Sequence, residues 1–270
     1  MLIDTHCHLD AAEFNADRDE VVTSALNHGV SGIVVPAVAR PYFDDVISLC
    51  QRYQNCVYAL GVHPMYVERS SLDDLDTLRT YVQNHNPIAI GEIGLDYFLT
   101  NPKDHPENIK QQTHFFVEQL KIAQQFDLPV ILHVRHAIDE VLKQLRKYQV
   151  NGGIAHAFNG SMQQAEQLLA LGFKLGFGGA MTYTRALRIR ALAVQLPLEA
   201  IVLETDAPDI PPEWIGSAGR NSPVELPKIA QVLADLRQVN VSQVLDITSA
   251  NAIKIMPKLA DLCTPVNALH

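Results

Sequence analysis

The chain is 270 residues long, 47% hydrophobic and 19% charged, with a formal net charge of -9 at pH 7. That apolar content excludes a disordered polar chain, and the acidic balance speaks against a broad basic surface for nucleic acid. It leaves room for a small local site, because a bound divalent cation reverses the local field.

In chain order, short apolar runs that predict strands occur at Leu2–Cys7, Gly32–Ala37, Val57–Val62, Ile88–Ile93, Val130–Val134, Gly153–Ala157, Phe173–Phe177 and Ile201–Thr205. Amphipathic segments that predict helices fall between them at Asp17–His28, Tyr42–Tyr53, Leu72–Asn84, Glu107–Phe126, Ile138–Tyr148, Met162–Leu171 and Arg185–Leu196. Pro223–Arg237 and Ser242–Ile255 follow the last strand. Apolar strands alternating with helices predict a parallel sheet buried on both faces. Eight such units predict a closed (β/α)8 TIM barrel, as one domain over residues 1–270. An open doubly wound sheet is the alternative, but no GxGxxG or P-loop motif follows any of the runs. Cys7, Cys50, Cys56 and Cys263 form no CxxC pair, so neither a zinc ribbon nor a disulfide framework is expected. Asp4 and His6 interrupt the N-terminal run too early for a signal peptide, and no apolar stretch approaches the roughly 18 residues that span a membrane. The expectation is a cytoplasmic protein, monomeric or weakly oligomeric, with no membrane partner.

The functional signal is positional. In a barrel of this kind the chemistry sits at the C-terminal strand ends. The first run, in MLIDTHCHLD, carries His6 and His8; period-two alternation puts Asp4, His6 and His8 on one face and turns Cys7 away. Alone, the pair is equally consistent with ordinary histidines. The third run ends in GVHP with His63, and the fourth in GEIGLD with Glu92 and Asp96. The fifth ends in ILHVRHA with His133 and Arg135, the sixth in GIAHAFNGS with His156, and the eighth in LETDAP with Glu204 and Asp206. Each has an ordinary alternative: His133 as a satisfied strand polar residue, Glu92 as an ion-pair partner, Asp206 as a turn cap. Convergence of six of them (His6, His8, Glu92, His133, His156 and Asp206) on one rim favours a metal site, since unpaired ionisable groups are costly there. Four histidines and two carboxylates exceed one tetrahedral site, so two divalent ions sharing a bridging carboxylate are expected, with Glu92 as the bridge. Zinc, manganese, iron and magnesium all suit such N and O donors. Asp206 is the candidate general base.

These ordered motifs, DTHCHLD, GVHP, GEIGLDY, PVILHVRHA, HAFNGS and LETDAP, resemble the TatD family of metal-dependent deoxyribonucleases, among the amidohydrolase-like barrels, over nearly the whole chain. The resemblance implies metal ligation by His6, His8, Glu92, His133, His156 and Asp206, with Asp206 and Glu92 in the catalytic centre. It implies a substrate contact for His63, or support of a ligand from behind, more than ligation, and a phosphate contact for Arg135, whose alternative is a surface salt bridge. Asp10 is expected either to orient a ligand histidine or only to start its loop, and Glu204 to support ligands from behind. His136 stands where an acidic residue is frequent in the family, and Asn159 where serine is frequent. Arg220 and Asn221 of GRNSPVEL either shape the pocket or precede a helix cap at Ser222.

Three functions follow. The leading one is hydrolysis of phosphodiester bonds in DNA with two divalent ions (zinc, magnesium or manganese), Arg135 stabilising charge. The second is hydrolysis of an amide or ester in a small-molecule substrate, favoured by the acidic composition and the lack of an evident stacking platform. The third, a metal-holding scaffold without turnover, is disfavoured by the complete set of ligand residues.

Overall fold

Ile33-Val34-Val35 and Val130-Ile131-Leu132 are unbroken apolar runs, and parallel strands built from such runs must be covered on both faces. The computed structural model describes residues 1–98 and 104–263. It contains parallel strands β1 (Leu2–Asp4), β2 (Val30–Pro36), β3 (Cys56–Ala59), β4 (Ile90–Asp96), β5 (Val130–Arg135), β6 (Gly153–Ala155), β7 (Phe173–Phe177) and β8 (Ile201–Leu203). They are hydrogen-bonded in the orders β1-β2-β3 and β4-β5-β6-β7-β8. A bridge between Leu60 and Ile90 joins the two groups. Thr5 N and Oγ1 both donate to Leu203 O, at 3.1 and 3.0 Å, which brings β8 back against β1. The architecture is the expected (β/α)8 barrel.

The helices are α1 (Arg18–Asn27), α2 (Phe43–Arg52), α3 (Leu72–His85), α4 (Pro106–Gln125), α5 (Ile138–Lys147), α6 (Met162–Ala170), α7 (Leu187–Gln195), α8 (Leu226–Arg237) and α9 (Val241–Ile255). Local sequence sets their ends. Ser161 N donates to Gln164 Oε1 and Gln164 N to Ser161 Oγ, a reciprocal cap that starts α6. Asn86, with φ of 51°, ends α3 in the left-handed conformation that asparagine tolerates.

Two apolar layers line the strands. Outside, Ile33, Val35, Val130, Leu132, Leu175 and Leu203 belong to the cluster that includes Phe43, Phe116, Val141 and Leu233 of the helices. Inside, Ile3, Val34, Ala59, Ile131, Ile154 and Val202 pack with Ala252 of α9 and with Met256 and Leu259 beyond its end. Side-chain alternation then places the next inward positions one layer higher. Two residues after Ile131, Ile154 and Val202 come His133, His156 and Glu204.

The strand bounds differ from expectation at the site. Leu2–Cys7, Gly153–Ala157 and Ile201–Thr205 were expected as strands, but the ladders stop at Asp4, Ala155 and Leu203. The chain leaves the sheet there, with Ala157 and Asp206 at positive φ of 44° and 57°. Among the described residues no helix is long and apolar enough to cross a membrane. Cys7, Cys50 and Cys56 are free and buried. The side chain of Cys263, and the parts of the expected 1–270 domain at residues 99–103 and 264–270, lie outside the described residues.

Candidate metal centre

Glu92, on β4, is 1% exposed and lies at the middle of the barrel mouth. Its two oxygens face two different sets of donors. Oε2 is 3.2 Å from His6 Nε2 and 3.4 Å from His8 Nε2. Those two nitrogens are 3.3 Å apart, and they lie 3.5 and 3.7 Å from Asp206 Oδ1. An ion about 2.1 Å from each of four tetrahedral N and O ligands holds neighbouring ligands about 3.4 Å apart. The five separations, 3.2–3.7 Å, fit such a cage.

On the other side, Glu92 Oε1 is 3.0 Å from His133 Nδ1, 2.8 Å from His156 Nε2 and 3.3 Å from His63 Nε2. His133 Nδ1 and His156 Nε2 are 3.4 Å apart. The rings of His6 and His156 stack with centroids at 4.0 Å, which ties the two sets together.

The second nitrogen of each ring separates ligand from donor. A histidine that ligates through one nitrogen carries its proton on the other, and usually donates it. His133 turns Nε2 to Asp96 Oδ2 at 3.1 Å, whereas His156 Nδ1, 3.9 Å from Glu204 Oε1, and His6 Nδ1 are buried without a hydrogen-bond partner. His63 is different. Met65 N donates to His63 Nδ1 at 3.1 Å, so this nitrogen has no proton and in the neutral ring Nε2 carries it. Burial lowers the His63 pKa, which keeps the ring neutral. Although it lies among the groups able to hold an ion, its tautomer makes it an N–H donor to Glu92.

The electrostatics follow from packing charges into a dry pocket. Burial disfavours the Glu92 charge, but His156, His63, His6 and His133 hold its carboxyl well below the usual range. Burial, aided by His156, takes His6 down to about 3. On His8 burial is outweighed by Glu92 and Asp206, which raise it to about 9. On His156 it is outweighed by Glu92, Asp206 and Glu204, which raise it to about 10. Burial pushes Asp206 up, against His156 and His8. With protons so placed, a cation entering this pocket takes the position of protons on the rings.

Surrounding residues brace the donors. Asp4 was expected on the face of His6 and His8, yet it points into the β1–β8 joint. Its carboxylate accepts from Thr205 N at 2.9 Å, Thr205 Oγ1 at 2.6 Å and His6 N at 3.3 Å. Burial raises it to about 7 despite these bonds. Glu204 accepts from Ala157 N at 2.5 Å behind His156, as expected of a support, and burial raises it to about 8. The sequence reading missed two glutamines of α4. Gln112 bonds Asp96 N and O, and Gln119 bonds Val62 N and O, fixing the chain beside Asp96 and His63. Their signal was present: residues 112, 115, 116 and 119 share one helix face, where a buried glutamine must have a partner.

The structure brings His6, His8, Glu92, His133, His156, Asp206 and His63 together. Arg135 stands apart from them. It is exposed, with its guanidinium carbon 3.6 Å from the centre of the Phe98 ring. Arg220 also lies elsewhere, binding the Asp17 carboxylate with both Nη atoms and covering Phe14. Asn221 does shape the mouth, since its Nδ2 donates to Thr205, Asp209 and Ile210 carbonyls. Ser222 caps the next turn through Val224 N at 3.4 Å. Asp10 lends charge to His8, and its Oδ1 is buried without a hydrogen-bond partner. Asn159 Oδ1 accepts from Arg188, and Cys7 packs in the outer cluster.

Comparison with known proteins places this geometry in context. The model of the family described as TatD related DNase matches residues 3–257. The metal-dependent hydrolase YjjV of Escherichia coli K12 is 39% identical over 240 residues, 87% of this chain and 90% of that protein. Human deoxyribonuclease TATDN3 is 32% identical over 270 residues, 97% and 96% of the two chains. The crystal structure of YjjV, a TatD homologue, superposes with a TM-score of 0.89 at 36% identity, covering 95% of this chain and 98% of that one.

Proposed function

The chain belongs to the family of TatD-related DNases and is a metal-dependent hydrolase, and on that premise we propose that it cleaves phosphodiester bonds in DNA with two divalent ions. One observation carries the reading: the two oxygens of Glu92 each belong to a separate set of N and O donors. His6, His8, Glu92 and Asp206 would hold one ion, and Glu92, His133 and His156 the other. Zinc, magnesium and manganese all suit these donors. Such ions supply Lewis acidity toward phosphoryl oxygens and make water acidic enough to serve as nucleophile near neutral pH.

The chain's own residues do the rest. Asp206 takes the proton from the attacking water; burial, which raises its proton affinity, suits it to that task. Asp96 fixes the His133 ring, Glu204 holds the chain beside His156 through Ala157 N, and the Nε2–H of His63 steadies Glu92. Similarity to a protein named as a deoxyribonuclease supports DNA as the substrate. The buried, unpaired state of Cys7, Cys50 and Cys56 supports a reducing compartment.

The test is release of nucleotides from single-stranded DNA by protein supplied with Mg2+, Mn2+ or Zn2+. Asp206→Ala should lower kcat at least about 100-fold, and a chelator should abolish turnover. Equal release by wild type and variant would sink the site assignment, and a preference for amides or lactones would sink the substrate class.

A further inference from the structure

We infer that Phe98 and Arg135 form a stacking platform for a nucleobase next to the scissile phosphate, an inference that rests on the phosphodiesterase reading above. Phe98 follows β4 and is 50% exposed, a large apolar ring left in water at the mouth of the barrel. The Arg135 guanidinium, at the end of β5, lies 3.6 Å from its centroid, and the His136 ring meets it edge-on at 5.3 Å and 88°. Phenyl, guanidinium and imidazole are the groups on which proteins stack unpaired bases. The platform is also tied to the metal centre. Phe98 N donates to Asp96 Oδ1 at 2.8 Å, while Asp96 Oδ2 faces His133 Nε2 at 3.1 Å. A base lying on Phe98 is thereby held at a fixed place relative to His133.

Charge makes the platform more necessary. With a net charge of -9, the molecule cannot rely on broad attraction for the phosphate backbone, which supplies much of the affinity of most nucleic-acid-binding proteins. Stacking is indifferent to that balance. Arginine stacked by its face also keeps its edge N–H groups available for a phosphate, so Arg135 serves base and phosphate together. Phe98 is a positioning residue in this scheme, because it touches the base and not the reacting atoms.

The experiment compares two short Mn2+-supported substrates: oligothymidylate, and the same oligomer carrying base-free sugars at and beside its cleaved ends. Wild type should prefer the base-bearing oligomer about tenfold in kcat/KM, mainly through KM, a value within the range of one base–aromatic stack. Phe98→Ala should lose that preference, Phe98→Trp should keep it, and Phe98→Leu should lose it although it remains apolar. A preference that survives in Phe98→Ala, or is kept as well by leucine as by tryptophan, would overturn the platform while leaving the phosphodiesterase reading intact. No cleavage of either oligomer by wild type would remove the parent reading, and this one with it.

Discussion

A carboxylate only 1% exposed would ordinarily keep its proton, yet Glu92 stays ionised because five imidazoles, His156 foremost, crowd its two oxygens. The same crowding raises His8 to about 9 and His156 to about 10. Two opposite pH dependences follow. Without metal, groups whose folded pKa exceeds the unfolded value of about 6.5 stabilise the fold fully below that value, and the stabilisation is lost as pH rises through 9 to 10. With metal, the rings must shed those protons, so affinity should rise over the same interval. Thermal melts at pH 7 and pH 10 should therefore show the chelated protein weaker at pH 10, and the shift produced by added Mn2+ larger there. A chelated protein equally stable at both values would show that neither ring is held protonated. His63 gives the complementary lesson: neighbouring histidines differ in role because Met65 N occupies one nitrogen.

Elements place these residues, and the close approach of β4 to β5 is the tightest constraint. Gly94 has φ of +146°, and a Cβ there would sit 1.9 Å from His133 O. Gly94→Ala should cost at least about 2 kcal/mol of stability in chelated protein, from strain and backbone overlap combined. Urea unfolding measures it, and an unchanged midpoint would refute the argument. The strand ends were legible in the sequence because apolar runs of parallel strands are continuous and the donors stand just beyond them. His6, His8, His63, Glu92, His133, His156 and Asp206 accordingly meet as expected. Asp4 was misplaced because alternation was extended past the point where the ladder stops. The partners of Arg135 and Arg220 were not legible, for another reason. A long exposed side chain takes whichever partner a neighbouring loop offers, Phe98 for one and Asp17 for the other, and sequence spacing does not encode that choice.

At the scale of the whole molecule, the acidic surface and the cation-ready mouth divide the labour. The barrel interior is apolar at one end, where α9 packs against Ile3, Ile131, Ile154 and Val202, and it is filled with ionisable donors at the other. Ions held there would bind the folded state alone and so add to its stability by mass action. Glu92 would join two such ions into one centre. Counting Mn2+ bound per chain at equilibrium in wild type and in Glu92→Ala tests that bridge. Two ions are expected in wild type, and a weakening of both sites together in the variant. One ion per chain in wild type, or two with Glu92→Ala weakening only one, would contradict the bridge.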